Sequence, residues 1–283
     1  MKRILTAVVM IALVVALIFY GHLWMLYLVC ALVAALAAYE YLTLANQTTL
    51  AAATACIPTW WMLASIVIVF AITYQYPETQ LPVLSFLGLT LLAWSGFHDP
   101  LPAVLPNAAL GFFGLIYIAY PLTLLPLLWV SEDGTALLLF LLVCVWAGDI
   151  AALYIGKNFG RNKLSRLSPN KTWEGSIASI AGSVLAALGL IGLTDLLANR
   201  AITGFHVSEP LWQSIALAIL LNIAAQVGDL LESAIKRGAN VKDSGTLLPG
   251  HGGILDRIDA LLLAAPVLWF ALLLKGALGL GTF

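Results

Sequence analysis

The chain has 283 residues, of which 62% are hydrophobic and only 10% are charged, and its mean hydropathy is +1.00. A soluble domain of this length carries about 25% charged residues. The composition therefore excludes an ordinary water-soluble domain and indicates a chain that lies mostly in lipid. The net charge of -1 hides an uneven distribution of basic residues.

Apolar stretches separated by charged, proline or glycine clusters predict the membrane spans. A helix that crosses a membrane needs about 20 mostly apolar residues. In chain order, such stretches lie near residues 4–20, 22–45, 50–73, 81–97, 103–130, 135–156, 175–197, 211–235 and 254–280. The predicted fold class is all-α, a polytopic transmembrane helical bundle of roughly nine spans. The fifth stretch is interrupted by Pro106, Pro121 and Pro126.

The first apolar stretch follows Lys2 and Arg3, as the apolar part of a secretory signal would. It is longer than a usual signal, however, and no clear small-x-small cleavage site follows it, so we expect an uncleaved span. Residues 1–130 are expected to be N-terminal transmembrane helices. Residues 131–283 are expected to be catalytic transmembrane helices with cytoplasmic loops, within one continuous membrane domain.

Lysine and arginine are absent between Arg3 and Lys157 and then gather mainly at residues 157–171 and 236–257. Cytoplasmic loops of membrane proteins are enriched in these residues. If the N terminus is inside, nine crossings place both basic clusters on the cytoplasmic side. The sequence thus predicts that its polar loops face the cytoplasm.

Carboxylates within the predicted spans indicate a polar site, because each one costs roughly 2.5 to 3.5 kcal/mol to insert near the middle of a membrane helix. Asp149, Asp229 and Glu232 are in such positions. The spacing of Asp229, Glu232, Ser233 and Lys236 places all four on one face of the eighth span. A buried ion pair between helices is the alternative interpretation of any one of them.

The loop after that span interleaves cations, glycines and carboxylates. Glycines at 250–253 precede the last helix, where backbone N–H groups and the helix dipole favour a phosphate. Asp256 and, from the neighbouring helix, Asp229 could hold Mg²⁺, which prefers oxygen ligands and bridges nucleotide phosphates. Neither a P-loop nor a dinucleotide-binding glycine pattern occurs here. The residues favour nucleotide chemistry at the membrane surface.

Residues 233–259 resemble the signature of phosphatidate cytidylyltransferases at every fixed position. The matching residues are Ser233, Lys236, Arg237, Lys242, Asp243, Gly245, Pro249, His251, Gly252, Gly253, Asp256, Arg257 and Asp259. A second stretch, residues 168–175, is similar to a Ser-Pro-Lys-Lys-Thr-Trp-Glu-Gly segment of the family, with Asn170 where a lysine is common. The resemblance is dense over roughly residues 146–260 and very specific.

The resemblance implies a reaction in which a phosphatidate oxygen attacks the α-phosphorus of CTP, giving CDP-diacylglycerol and pyrophosphate. It implies metal ligation by Asp229 and Asp256, with Asp149, Glu232 and Asp259 as further ligands. Catalytic roles are expected for Asp229, Asp256, Lys236 and Lys242. Substrate binding is expected at Lys171, Ser233, Arg237, His251, Gly252, Gly253 and Arg257. For His251 a loop or phosphate contact is expected rather than general base catalysis, since a phosphate monoester is already ionised near neutral pH.

The expected cofactor is Mg²⁺, with a second cation left open. The expected partners are CTP, phosphatidate and membrane lipids, without nucleic acid, and a homodimer is left open. The expected location is a bacterial inner (plasma) membrane, with the active site facing the cytoplasm.

Three other classes remain open at this point. A transporter would also carry intramembrane carboxylates, although its site should be central and reachable from both sides. A CTP-dependent lipid kinase would use similar groups but release CDP rather than pyrophosphate. A purely structural membrane protein would not need paired carboxylates beside glycine-rich loops.

Overall fold

The computed structural model describes residues 2–47, 57–131, 133–198, 210–247 and 252–278. In these ranges the chain consists mainly of helices and connecting segments, and an isolated antiparallel bridge joins Lys163 to Thr172. The all-α class predicted from the sequence is confirmed. Within these ranges, side chains are described except at residues 2–8, 197 and 198.

Ten α-helices follow one another within the described ranges. They are α1 (Lys2–Tyr20), α2 (Leu23–Gln47), α3 (Thr59–Gln75), α4 (Gln80–His98), α5 (Leu101–Gly114), α6 (Tyr120–Val130), α7 (Gly134–Phe159), α8 (Trp173–Ala198), α9 (Leu211–Gly238) and α10 (Leu255–Ala277). A short 3-10 helix, Pro77–Thr79, precedes α4. A π-helical turn, Leu115–Ala119, joins α5 to α6.

Seven helical segments among the described residues are long and apolar enough to cross a membrane. They are Leu23–Asn46, Pro77–His98, Leu101–Val130, Gly134–Phe159, Trp173–Leu196, Leu211–Gly238 and Leu255–Ala277. Two shorter apolar helices, Val9–Tyr20 and Thr59–Gln75, coincide with the first and third predicted spans. The chain is therefore a polytopic helical membrane protein, and the count of nine crossings stays a prediction.

The fifth predicted span continues through its three prolines. Pro106 and Pro126 lie inside α5 and α6, and the π-helical turn lies directly before Pro121. A proline lacks an N–H and its ring presses on the carbonyl four residues earlier. The wider turn is one of the ways in which a helix absorbs such a defect. The prolines thus modify this span without dividing it.

The chain forms two compact units. The first comprises residues 1–126 and 234–258, and the second comprises residues 127–233 and 259–283. α9 and α10 each contribute residues to both units. The boundary expected near residue 130 stays a prediction.

In the first unit, α2 packs through small side chains, since Ala34, Ala37 and Ala38 are all fully buried. Small residues let helix backbones approach closely, which is how membrane helices associate in the absence of a hydrophobic driving force. Tyr41 of α2 donates a hydrogen bond to the carbonyl oxygen of Leu110, at 2.9 Å. Aliphatic packing and a few buried hydrogen bonds therefore hold this unit together.

In the second unit, polar side chains link α7, α8 and α9. The amide nitrogen of buried Asn222 on α9 donates to the hydroxyl oxygens of Ser179 (2.9 Å) and Ser183 (2.7 Å) on α8. The Ser183 hydroxyl donates to the carbonyl oxygen of Cys144 on α7, at 2.6 Å. A Cβ at Gly148 would collide with these same side chains. A glycine is needed there because it leaves room for the polar contacts.

We predict that Asn222→Leu lowers the free energy of unfolding by about 1–2 kcal/mol, because it removes interhelical hydrogen bonds while keeping the branched shape of the side chain. The measurement is thermal or denaturant unfolding in detergent. Leu220→Met is the matched control, since Leu220 is exposed on the same helix, and it should leave stability unchanged. Equal stability of Asn222→Leu and the control would contradict a stabilising role for this network.

Candidate active site

Three acidic side chains of the second unit form a group that could hold a metal ion. Asp229 and Glu232 lie one turn apart on α9, and Asp259 lies in the first turns of α10. Each offers a carboxylate oxygen, and these oxygens lie within 4.8 Å of one another. We call these three residues the carboxylate cluster. Hard divalent cations such as Mg²⁺ prefer oxygen ligands of this kind.

The two helices can bring these carboxylates together because Gly228 lies at their crossing. A Cβ at this position would lie 2.5 Å from the carbonyl oxygen of Asp259 and 3.4 Å from Cα of Ala260. Any other residue would push α9 and α10 apart. Gly228 therefore fixes the distance between the two backbones from which the cluster projects.

Lys171 compensates the charge of the cluster. Its Nζ forms an ion pair with Oδ2 of Asp229, and the two side chains are 25% and 35% exposed. Lys171 lies just before α8, so the connection between α7 and α8 supplies a cation to a carboxylate of α9. This pair also fits the interpretation of Asp229 as a member of an interhelical ion pair.

The segment that carries Lys171 is held by hydrogen bonds at the start of α8. Thr172 acts as the N-cap, because its hydroxyl oxygen accepts the N–H of Gly175 at 3.1 Å. Glu174 accepts the backbone N–H of Arg161 at 3.1 Å and the side-chain amide of Asn162 at 2.8 Å. The Thr-Trp-Glu part of the predicted motif therefore shapes the loop around Lys171.

A second ion pair lies in the first unit. Nζ of Lys236 donates to Oδ1 of Asp256 at 2.6 Å, and the side chains are only 12% and 9% exposed. Oδ2 of Asp256 accepts the backbone N–H groups of Ser244 (3.0 Å) and Gly253 (2.8 Å). Asp256 thus fastens α9, the following loop and the start of α10 to one another.

Gly252 adopts a φ of +78°, which L side chains rarely adopt. A Cβ there would also lie 2.6 Å from Oδ2 of Asp256. Both the backbone conformation and the close carboxylate require glycine at this position. Pro249, Gly250 and His251, the other parts of the expected phosphate-binding loop, lie outside the described residues.

Sequence reasoning missed Glu40. It lies on α2 and is 3% exposed. Its Oε1 accepts the N–H of Ile254 at 3.0 Å, and its Oε2 accepts the N–H of Leu255 and the hydroxyl of Ser244, each at 2.9 Å. Glu40 is a carboxylate inside an apolar predicted span. The cost of inserting a carboxylate into a membrane helix, which singled out Asp229, applies equally to Glu40 and would have identified it.

These bonds differ from the expectation that the N terminus of α10 offers free N–H groups to a phosphate. The N–H groups of Gly253, Ile254 and Leu255 bond to carboxylates of the protein. The positive end of the helix dipole still attracts negative charge, as expected, but this charge comes from Asp256 and Glu40. Substrate binding by Gly252 and Gly253 stays a prediction.

The remaining predicted site residues differ in their exposure to solvent. Ser233 is buried on α9, Asp149 is exposed on α7, and Arg237, Lys242 and Arg257 are exposed. Nη1 of Arg237 donates to the carbonyl oxygen of Val241 at 3.0 Å. The shared metal centre expected for Asp229 and Asp256 stays a prediction, because the two residues belong to different units.

The fold and these charged groups define a class of protein, a polytopic membrane protein that carries a candidate metal site and several cations. The chain matches the cytidylyltransferase family over residues 1–274. The chain belongs to this family.

Relatives from several bacteria are similar to this chain. A phosphatidate cytidylyltransferase of Synechocystis sp. is 32% identical over 308 aligned residues, which cover 96% of this chain and 96% of the relative. A phosphatidate cytidylyltransferase of Brucella suis is 42% identical over 158 residues, 55% of this chain and 54% of the relative. One of Bacillus subtilis is 39% identical over 145 residues, 51% of this chain and 50% of the relative.

We predict that Gly228→Ala weakens binding of Mn²⁺, used as a paramagnetic probe of the cluster, by about 10-fold or more. The added methyl group would separate α9 from α10, and metal sites tolerate little displacement of their ligands. Mn²⁺ affinity is measured by electron paramagnetic resonance titration of purified protein.

Gly238→Ala is the matched control, because a Cβ at Gly238, on the same helix, meets nothing within 4 Å. It should bind Mn²⁺ as the wild-type protein does. Unchanged Mn²⁺ affinity in a folded Gly228→Ala protein would refute the assignment of the cluster as a metal site.

Proposed function

We propose that this chain is a phosphatidate cytidylyltransferase, which transfers the cytidylyl group of CTP to phosphatidate. The observation that carries this proposal is similarity along nearly the whole chain, from the family match over residues 1–274 to the Synechocystis relative that covers 96% of both proteins. The two stretches that resemble the family supply Lys171, Lys236, Asp256 and Asp259 to the ion pairs and the carboxylate cluster of the candidate site.

The proposed reaction exchanges one phosphoanhydride bond for another. A phosphate oxygen of phosphatidate attacks the α-phosphorus of CTP and forms a new P–O bond. The bond from the α-phosphorus to the oxygen that bridges it to the β-phosphorus breaks, and pyrophosphate leaves. The products are CDP-diacylglycerol and pyrophosphate. In such a reaction the protein mainly aligns two anions and neutralises their charge.

The carboxylate cluster fits Mg²⁺ as a cofactor, because three acidic side chains converge there from two helices. Asp229, Glu232 and Asp259 would hold the ion. When bound, Mg²⁺ supplies Lewis-acid neutralisation of phosphate charge. Lys171 lies against Asp229 and in this proposal contributes its ammonium group to a substrate phosphate.

The exposed cations Arg237, Lys242 and Arg257 are the other proposed contacts for substrate phosphates. Basic side chains at the ends of apolar helices attract anionic headgroups. Arg237 is in the last turn of α9, Lys242 is in the loop that follows, and Arg257 is in the first turn of α10. Their side chains are exposed, which supports access from solvent.

The proposed location is the inner (plasma) membrane of a bacterium, with the active site facing the cytoplasm. The apolar helices and the bacterial relatives support a membrane location. The gathering of basic residues at 157–171 and 236–257 supports the cytoplasmic orientation, because cytoplasmic loops are enriched in such residues.

The direct test is product analysis. Purified protein, mixed with CTP, Mg²⁺ and phosphatidate in detergent, should form CDP-diacylglycerol and pyrophosphate in equal amounts. Chromatography of the lipid and an enzymatic pyrophosphate assay measure the two products. In a parallel reaction with diacylglycerol in place of phosphatidate, formation of CDP and a phosphorylated lipid would instead identify a lipid kinase and overturn the proposal.

We predict that Asp229→Asn lowers kcat by about 1,000-fold, since charge stabilisation in phosphoryl transfer is worth this much. Thermal stability should change little, because Asn keeps the side-chain shape and the ion-pair partner Lys171 is partly exposed. Asp195→Asn is the control, an exposed carboxylate on α8, and should retain full activity. A folded and fully active Asp229→Asn protein would rule out this role.

The orientation is tested with cysteines introduced at Asn162 and Thr203. Nine crossings predict that Asn162→Cys is shielded from a membrane-impermeant thiol reagent in intact cells, whereas Thr203→Cys reacts with it. Both should react after the membrane is permeabilised. Labelling of Asn162→Cys but not Thr203→Cys in intact cells would reverse the proposed orientation.

A further inference from the structure

Glu40 is a buried carboxylate without a place in the reaction described above. It lies on α2, more than 200 residues from Ser244, Ile254 and Leu255, yet among the described residues these three donate hydrogen bonds to it. All of these residues are in the first unit. A carboxylate buried at this depth requires strong compensation, and here three hydrogen bonds provide it.

The three donors lie at the two ends of the loop that connects α9 to α10. The N–H groups of Ile254 and Leu255 are at the start of α10, where the first N–H groups have no partner within the helix. The Ser244 hydroxyl lies at the other end of the loop. One carboxylate therefore joins both ends of the loop to α2.

Two glycines of the loop leave space that the Glu40 side chain occupies. A Cβ at Gly245 would lie 2.5 Å from Oε1 and 2.8 Å from Cδ of Glu40. A Cβ at Gly253 would lie 2.6 Å from the same Cδ and would overlap Oε2. Neither glycine is among the residues with positive φ. Space for the Glu40 carboxylate, and at Gly253 also for the Ser244 hydroxyl that donates to it, requires glycine at both positions, rather than backbone conformation.

We propose that Glu40 is a positioning residue for substrate binding, which holds Ser244, Ile254 and Leu255 so that the neighbouring Asp256, Lys242 and Arg257 keep their places. The inference rests on the proposed function, because it assigns Lys242 and Arg257 to substrate phosphates. Glu40 itself touches loop atoms rather than reacting atoms. Its removal should loosen the loop while leaving the bundle folded.

Hydrogen–deuterium exchange tests the restraint independently of activity. In Glu40→Gln the side chain keeps its size but loses one acceptor, so we expect the amides of Ile254 and Leu255 to exchange about 10-fold faster or more. Gln80→Leu is the matched control, because it removes a buried hydrogen bond of the same unit, from Gln80 to Thr123 at 2.7 Å, away from the loop. Exchange at 254–255 should be unchanged in that variant.

Kinetics test the functional part. Displacement of binding groups by about 1 Å can cost about 100-fold in rate, so kcat/KM for CTP should fall by this order in Glu40→Gln. The loss should lie mainly in a higher KM rather than a lower kcat, a separation that general destabilisation would not produce. Gln80→Leu should lower the melting temperature without changing kcat/KM for CTP.

Ser244→Ala extends the test to a milder change, since it removes one of the three bonds. It should raise exchange at Ile254 and Leu255 less than Glu40→Gln does, and should lower kcat/KM for CTP by several-fold. If Glu40→Gln does not fold, this variant decides the question. Unchanged exchange and unchanged kinetics in Ser244→Ala would then overturn the proposal.

A double-variant cycle tests the coupling between Glu40 and Gly245. Gly245→Ala should impair kcat/KM for CTP in the wild-type background but add little to Glu40→Ala, because the smaller side chain leaves room for the methyl group. Additive losses would contradict the assignment of Gly245 to the space around Glu40.

The outcomes separate this inference from the proposed function. Wild-type protein that forms no CDP-lipid would refute the proposed function, and exchange would still show whether Glu40 restrains the loop. Active wild-type protein with unchanged exchange in Glu40→Gln would overturn the inference alone. Faster exchange with unchanged kcat/KM for CTP would also overturn it, since the restraint would then have no effect on substrate binding.

Discussion

Compensation of carboxylates within apolar helices is the constraint on which the candidate site depends. An acidic side chain in a membrane span is costly unless a cation or several donors lie beside it. Asp229 has Lys171 beside it, and Asp256 has Lys236 and two backbone N–H groups. Each compensation also draws a loop against a helix. The charged groups proposed for catalysis therefore help to determine where the loops lie.

The candidate site and the helix bundle also require helix backbones to approach one another closely, and glycines allow this at particular positions. Gly228 lets α9 meet the start of α10 beside the carboxylate cluster, and Gly148 leaves room for polar side chains between α7 and its neighbours. In lipid, where helix association depends on packing and interhelical hydrogen bonds, such positions matter more than total apolar area. The polar groups then set which helices pair.

Helices could be predicted from the sequence because a membrane permits few other structures, and long apolar stretches separated by polar clusters mark them directly. The polar face of α9 was also predictable, since its residues recur at helical spacing. The grouping of Asp259 with Asp229 was harder to predict from the sequence, because it depends on how closely two helices cross at Gly228. That crossing distance is a property of three-dimensional packing.

Two features of the site show where local patterns fail. The glycine-rich segment before α10 predicted free N–H groups for a phosphate, but three of them bond to carboxylates. One of these carboxylates, Glu40, is more than 200 residues away in the chain, so no local motif includes it. A rule based on the cost of an intramembrane charge would have found it without a motif.

The glycines of this loop also show that a local sequence pattern does not reveal the reason for a residue. Sequence alone explains glycine by backbone freedom, which applies to Gly252 with its φ of +78°. At Gly245 and Gly253 the reason is the volume of the Glu40 side chain. The two causes look identical in sequence and require different tests.

In the proposed function, the carboxylate cluster would hold a divalent ion close to the phosphates of CTP. Electron–nuclear double resonance of protein-bound Mn²⁺ in the presence of CTP measures this proximity. We expect hyperfine coupling of the bound ion to ³¹P in the wild-type and Asp195→Asn proteins, and loss of that bound signal in Asp229→Asn. The same ³¹P coupling from protein-bound Mn²⁺ in a folded Asp229→Asn protein would contradict it.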